Sequence, residues 1–189
     1  VLSTGRCGST TFERACSHIT NYTAGHETRA RYLHDRRFDF PDRHIESDNR
    51  LSWFLGGLAA RFDDEDTFYV HLSRRREQVA QSYASRFFSG YHSGIMPAFA
   101  QGILMRPQWK PEQHLKVSRF YVDTVNANIA EFVRHRPHTM DFPLADAREL
   151  FPVFWERIGA EGDLDAAVAE FGVRHNARRP AEDASSPEA

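Results

Sequence analysis

The residue types best suited to anion binding lie at the start of the chain, where an apolar segment runs into a turn with two glycines and then into a predicted helix. Amides in the first turn of a helix lack intrahelical acceptors, and the aligned peptide dipoles leave positive charge there. Glycines let the main chain approach a ligand closely, and an arginine adds a forked cation. The predicted anion-binding loop comprises Gly5, Arg6, Cys7, Gly8, Ser9, Thr10 and Thr11.

This loop differs from the common nucleotide-triphosphatase loop, because only two residues separate its glycines and no lysine follows the second one. An ordinary glycine turn with a capped helix is the alternative interpretation. A second candidate anchor is Arg74, at the entry to a predicted helix, with Ser82 eight residues later, about two helical turns further on. The two side chains can reach one anion only if the loop folds back over the helix face.

Around these anchors, segments typical of strands alternate with segments typical of helices, which predicts a single α/β domain with a central, mostly parallel sheet flanked by helices. Ligands of such sheets bind at the carboxyl ends of the strands, where both anchors lie. The chain opens inside the first strand, so we expect residues before it. Further strands are predicted at 22–24, 44–46, 67–72 and 138–142, and helices at 9–20, after Asp48 or Asn49, and at 75–88, 113–135, 146–158 and 163–170.

Composition limits the function classes. A chain of 189 residues with 41% hydrophobic content supports one domain, which we place at residues 1–180 with a disordered tail at 181–189. The net charge of −2 disfavours nucleic acid and membrane partners. Two cysteines, Cys7 and Cys16, are too few for a disulfide framework, and they favour the cytoplasm. The ten histidines show no metal-ligand spacing, so no metal is predicted.

Taken together, the two anchors resemble those of the sulfotransferases that use 3′-phosphoadenosine 5′-phosphosulfate (PAPS) as donor. In that family a loop after the first strand binds the 5′-phosphosulfate, as residues 4–11 would here. An arginine and a serine eight residues apart bind the 3′-phosphate, and Arg74 and Ser82 match them. The resemblance covers residues 1 to about 180. It implies a P-loop-kinase-like fold and sulfuryl transfer to a hydroxyl or amine of a small-molecule or carbohydrate acceptor, with adenosine 3′,5′-bisphosphate (PAP) as product.

Two further segments bear on this resemblance. Residues 173–179 look like the late basic loop that closes over the nucleotide in the family, which implies cofactor contacts from Arg174 and Asn176. Many members have lysine where this chain has Arg6, although the bacterial and carbohydrate-directed branches are compatible with arginine. Because arginine is effectively always protonated, Arg6 would stabilise charge on the leaving oxygen without giving it a proton.

Sulfuryl transfer to a hydroxyl also calls for a general base. In the resembling family the base is a histidine or glutamate after the first helix. Glu27 is the first candidate, because its placement matches the carbohydrate-modifying branches, and its alternative role is an ion pair with Arg29 or Arg31. His44 is the second candidate, because imidazole accepts a proton near neutral pH, and Glu46 also competes.

The segment 89–112 lacks a dominant period and is predicted to be a substrate-facing insertion or a surface loop. Aromatic side chains in and beside it could stack on a sugar or an aromatic acceptor. They are Phe87, Phe88, Tyr91, His92 and Trp109.

Two other functions compete with sulfuryl transfer. A nucleotide-dependent phosphotransferase would need a magnesium-binding acid near the loop, for which Asp48 is conceivable, but the loop lacks the expected lysine. A noncatalytic module that binds anions or nucleic acid through its arginines is disfavoured by the net acidity and by the absence of a continuous basic stripe.

Overall fold

Two pairs of parallel strands form the centre of the structure, a computed structural model that describes residues 1–62, 64–88 and 94–173. Strand β1 (Thr23–His26) pairs with β2 (His44–Ser47), with Gly25 opposite Glu46. Strand β3 (Tyr69–Ser73) pairs with β4 (Thr139–Pro143), with Leu72 opposite Phe142. The mixed α/β class is therefore confirmed, but the described sheets have two strands each and do not form one continuous central sheet.

The first residues of the chain lie between the two strand pairs. Leu2 N donates to Val70 O at 2.8 Å, Leu72 N donates to Leu2 O at 2.9 Å, and Val1 N donates to Glu46 O at 2.8 Å. The predicted first strand is thus a single parallel bridge at Leu2. Beyond Leu2 the chain leaves the ladder for the loop, and Ser3 O accepts from the side chain of Ser52 at 3.0 Å.

Seven α-helices surround the strands in the described part of the chain. They are α1 (Ser9–Cys16), α2 (Leu55–Arg61), α3 (Arg76–Ala84), α4 (Ile95–Pro97), α5 (Pro111–Arg134), α6 (Ala147–Arg157) and α7 (Leu164–Ala169). A π-helical turn at Ala98–Ile103 continues α4, so the predicted irregular insertion contains helical structure. Short 3-10 helices lie at His34–Arg37, Asn49–Trp53, Leu144–Asp146 and Glu170–Gly172.

The core packs the first helix against the second strand pair. Phe12 of α1 is fully buried, with its ring centroid 5.0 Å from that of Phe142 in β4 and 5.7 Å from that of Phe151 in α6. This packing fixes α1, and therefore the loop before it, at the carboxyl end of the strands. In the described ranges, no helix combines the length and the apolar character needed to cross a membrane.

Candidate functional site

The loop between Leu2 and α1 has an unusual backbone conformation. Gly5, Arg6 and Gly8 have positive φ angles of 79°, 60° and 91°. Gly8 is the residue that caps α1, and the first hydrogen bond of the helix runs from Phe12 N to Gly8 O at 2.9 Å. The amides between these two residues lie in the first turn, where helices attract anions. The loop therefore presents the first-turn amides of a helix, and anion binding by them stays a prediction.

Two buried phenols hold this loop from below. Tyr83 Oη and Tyr121 Oη both donate to Thr4 O, at 2.6 Å and 2.8 Å. Burial raises the pKa of both hydroxyls, which keeps them protonated as donors. A Cβ at Gly5 would collide with Tyr83 Oη and lie 2.8 Å from Asn49 Nδ2, so only glycine fits there.

Cys7 faces the protein interior. Its Sγ lies 3.1 Å from Thr4 Oγ1 and 3.3 Å from Gly5 O. Burial raises the pKa of the thiol, which disfavours the nucleophilic thiolate. The predicted contact from Cys7 to an anion is consequently limited to its main chain.

The two predicted anchors meet in three dimensions. Arg6 Nε donates to Ser82 Oγ at 3.1 Å, and Arg86 Nη1 lies at the same distance from the same oxygen. Arg74 Nη1 donates to Arg6 O at 3.4 Å, while its Nε donates to Gln78 at 3.0 Å. Arg6 thus contacts both residues of the second anchor, Arg74 through its carbonyl oxygen and Ser82 through its guanidinium.

These contacts concentrate positive charge in the arginine cluster, defined as Arg6, Arg74 and Arg86. Burial, followed by repulsion from Arg86 and Arg74, lowers the pKa of Arg6, although the guanidinium stays charged at neutral pH. Among the described residues, neither Arg6 nor Arg74 has a carboxylate partner. Three arginines lie close together, and two of them have no carboxylate in the described structure to offset their charge. Such an arrangement favours the binding of an anionic ligand.

A polar cleft of about 580 Å³ lies beside the loop and includes the leading base candidate. Its lining includes His26, the last residue of β1, Glu27, which follows β1, and Arg50, which follows β2. His26 Nε2 is 2.9 Å from Ser9 Oγ, and this contact joins the cleft to the first turn of α1. Glu27 pairs with Arg50 and not with the predicted Arg29 or Arg31. The cleft thus brings a carboxylate to the same edge of the strands as the loop.

The other two base candidates lie outside this lining. His44 Nε2 is 3.0 Å from Glu46 Oε2, and His44 Nδ1 is 2.8 Å from Thr23 Oγ1, so both ring nitrogens have partners. Glu46 also accepts from the backbone N and the hydroxyl of Thr28, at 2.7 Å and 2.6 Å. This clamp (His44, Glu46 and Thr28) fixes the segment after β1, and neither of its titratable groups is directed to the cleft.

Asp48, the acid of the competing phosphotransferase interpretation, is fully buried. Its Oδ2 accepts from Arg37 Nη2 at 2.5 Å, and its Oδ1 accepts from Arg50 N at 2.7 Å. Both oxygens are therefore committed to structural contacts. Over residues 1–62, 64–88 and 94–173, no cluster of three or more His, Cys, Asp or Glu side chains could hold a metal ion.

The aromatic residues predicted to contact an acceptor do not line the polar cleft in the described structure. Phe87 is buried and stacks on His114 with ring centroids 4.1 Å apart, and Trp109 Nε1 donates to Ala100 O at 3.1 Å. Phe88 is half-exposed but packs edge-on against the same two rings. Tyr91, His92, Arg174 and Asn176 lie outside the described residues.

Three residues of this site were not predicted from the sequence: His26, Arg50 and Arg86. His26 ends β1 and Arg50 follows β2. The carboxyl ends of these strands lie at the same edge as the loop, and this position was the available signal. Arg86 lies one helical turn after Ser82, a spacing that places both on one face. Searches against protein-family models, curated proteins and solved structures found no match to this chain.

Proposed function

We propose that the protein is a PAPS-dependent sulfotransferase that transfers a sulfuryl group to a hydroxyl or amine acceptor, on a P-loop-kinase-like fold. The observation that carries this proposal is the contact between Arg6 and Ser82, with Arg74 hydrogen-bonded to the carbonyl of Arg6. It joins a helix-start anion loop to a second cationic anchor. Two adjoining anion positions suit a donor with phosphate groups at its 3′ and 5′ positions.

In this proposal the two ends of the donor bind different groups. The first-turn amides of α1, together with Arg6, Ser9, Thr10 and Thr11, would hold the 5′-phosphosulfate. Arg74 and Ser82 would hold the 3′-phosphate. The residues fit this role, because positive φ at Gly5, Arg6 and Gly8 shapes the loop and the arginine cluster supplies positive charge. PAP, the product, carries the same 3′ and 5′ groups without the sulfuryl and would occupy the same site.

The proposed transfer is an in-line displacement. A new bond forms between sulfur and the acceptor oxygen or nitrogen, while the bond between sulfur and the bridging phosphate oxygen breaks and its electron pair goes to PAP. Arg6 stabilises the negative charge that grows on this leaving oxygen, without donating a proton. Glu27 would take the acceptor's proton, a role supported by the position of its carboxylate in the described lining of the polar cleft.

A calorimetric titration separates this function from the phosphotransferase alternative. The full chain is titrated with PAP in one experiment and with ATP and magnesium in the other. We expect PAP to bind more tightly, because Asp48 is committed to Arg37 and the backbone and the loop lacks the lysine of kinase-type loops. Tighter binding of ATP with magnesium would refute the sulfotransferase proposal.

A further inference from the structure

A second cleft, of about 350 Å³, adjoins the polar cleft and shares Ala30 and Arg50 with it. We call it the apolar groove. Trp53 and Phe54, which follow β2, form one part of its wall, and the segment around α4 and the π-helical turn forms the other. Its apolar lining side chains larger than alanine are Trp53, Phe54, Ile95, Phe99 and Ile103.

The groove offers an entering ligand few polar partners, and those are arginines. Its described lining contains no hydroxyl, amide or carboxylate side chain, and its two charged residues are Arg37 and Arg50. Arg37 donates to Asp48 through Nη2, while its Nη1 is buried without a hydrogen-bond partner among the described residues, and Arg50 is paired with Glu27. A carbohydrate buried here would exchange hydrogen bonds with water for apolar contacts, which is unfavourable for each of its hydroxyls.

Several of these apolar side chains face solvent in the described structure. Ile103 is 61% exposed, and Phe54 is 46% exposed. Contiguous exposed apolar side chains beside a polar cleft are typical of a ligand-binding groove. The ion pair between Glu27 and Arg50 marks the boundary at which the apolar wall gives way to the polar cleft.

We infer that the acceptor is an alcohol or phenol with a bulky apolar body, which lies in the apolar groove with its hydroxyl directed to Glu27. This inference rests on the proposed function and narrows its acceptor from small molecules and carbohydrates in general to one class. The groove holds the apolar body through contact with Trp53, Phe54 and Phe99. The hydroxyl is then at the boundary where the carboxylate of Glu27 can accept its proton.

The test uses 2-naphthol, a fluorescent apolar alcohol, as the probe. Its binding to the full chain is followed by fluorescence without any nucleotide, and its sulfation is then measured with labelled PAPS, with glucose as the polar comparison. The variant Ile103→Asp puts a charge at the groove, and Met105→Asp is the matched control, because Met105 is 83% exposed and outside the lining. We expect Ile103→Asp to weaken 2-naphthol binding at least tenfold and Met105→Asp to change it less than twofold.

The outcomes separate this inference from the proposed function. If PAP binds but 2-naphthol does not, or if glucose is the better acceptor, the acceptor class is wrong and the donor assignment stands. If 2-naphthol binds in the groove but PAP does not bind, the transfer function fails and with it the role of the groove as an acceptor site. Equal loss of binding in both variants also overturns the inference. So does a wild-type dimer that Ile103→Asp converts to a monomer, because the groove would then be a contact between two copies.

Discussion

Arg6 is the residue on which the two halves of the site converge. Its backbone has positive φ and belongs to the anion loop, its carbonyl accepts from Arg74, and its side chain donates to Ser82. A lysine would supply one point charge here, whereas the guanidinium can hold Ser82 through Nε and keep its other nitrogens for an anion. The residue is therefore suited to fixing charge in position.

Glu27 is expected to act in turnover and not in donor binding. Glu27→Gln should lower kcat at least a hundredfold with 2-naphthol as acceptor, because the amide cannot take a proton but can still bond to Arg50. The affinity for PAP should change less than threefold. Steady-state rates with labelled PAPS and a PAP titration measure the two effects.

Two further variants distinguish a catalytic role of Glu27 from a general effect of removing a carboxylate and from catalysis by His44. Glu156→Gln removes an exposed carboxylate on α6 and should leave kcat unchanged. His44→Gln removes the other leading candidate and should lower kcat less than Glu27→Gln does. Normal turnover in Glu27→Gln, or a larger loss in His44→Gln, would exclude Glu27 as the base.

Gly5 should be far less tolerant of a side chain than Gly56. Gly5→Ala combines a positive φ with a collision against Tyr83 Oη, whose bond to Thr4 would be broken, so we expect about 2 kcal/mol lower stability and weaker PAP binding. Gly56 lies in α2 with open space around its Cβ position, and Gly56→Ala should raise stability by roughly 0.5–1 kcal/mol. Urea unfolding measures both, and similar effects of the two substitutions would contradict the assigned loop geometry.

At the scale of elements, the segments that follow strand ends carry the site. The loop follows the Leu2 bridge, the His26–Glu27 pair closes β1, Arg50 lies shortly after β2, and Arg74 directly follows β3. Leu144, directly after β4, would lie 2.8 Å from a Cβ at Gly8, so this element also reaches the loop. The clamp from His44 and Glu46 to Thr28 then holds the cleft segment in place.

This clamp should make stability depend on pH in the acid range. Burial opposes the ionisation of Glu46, but hydrogen bonds from His44 and Thr28 outweigh it and lower the pKa of its carboxyl. A folded-state pKa below the unfolded value gives stability that is present above about pH 4.3 and is lost as the pH falls through the folded pKa. Urea unfolding from pH 7 to pH 3 should therefore show wild type losing more stability than Glu46→Gln.

The control for the Glu46 prediction is again Glu156→Gln, which should follow the wild-type curve. The difference between wild type and Glu46→Gln should be largest near pH 7 and shrink toward pH 3. A difference that stayed constant, or that grew as the pH fell, would show that the Glu46 carboxylate does not contribute in its ionised form.

The order of most elements could be predicted from the sequence, and the two anchors could be located as candidates, because both depend on local patterns. Helix and strand periods, glycine positions and the eight-residue spacing of Arg74 and Ser82 are visible along the chain. The partners of the charges were not visible, because they depend on which segments meet. Glu27 follows one strand and its partner Arg50 follows another, and only the parallel pairing of β1 with β2 brings them together. Likewise, the sequence does not show that Tyr121 is buried beneath the loop while its neighbour Phe120 is exposed.

At the scale of the whole molecule, the positively charged surface and the apolar surface lie in different regions. The chain has a net charge of −2, yet the arginine cluster concentrates positive charge at the anion loop. The polar cleft adjoins this loop through His26 and Ser9, and the apolar groove lies beyond Arg50. In-line transfer would place the acceptor atom opposite the leaving phosphate oxygen across the sulfur, with the carboxylate of Glu27 beside the acceptor to take its proton.

The measurement that tests this account most directly is a calorimetric comparison of Arg74→Ala with Arg75→Ala. Both variants remove one exposed arginine at the start of α3, but Arg74 contacts Arg6 and no described contact of this kind involves Arg75. We predict that Arg74→Ala weakens PAP binding at least tenfold, because it removes charge-assisted bonds to the 3′-phosphate, and leaves binding of adenosine 5′-monophosphate nearly unchanged. Arg75→Ala should change both affinities less than twofold. Equal losses in the two variants, or equal losses for the two nucleotides, would contradict a site built from the anion loop and the anchor of Arg74 and Ser82.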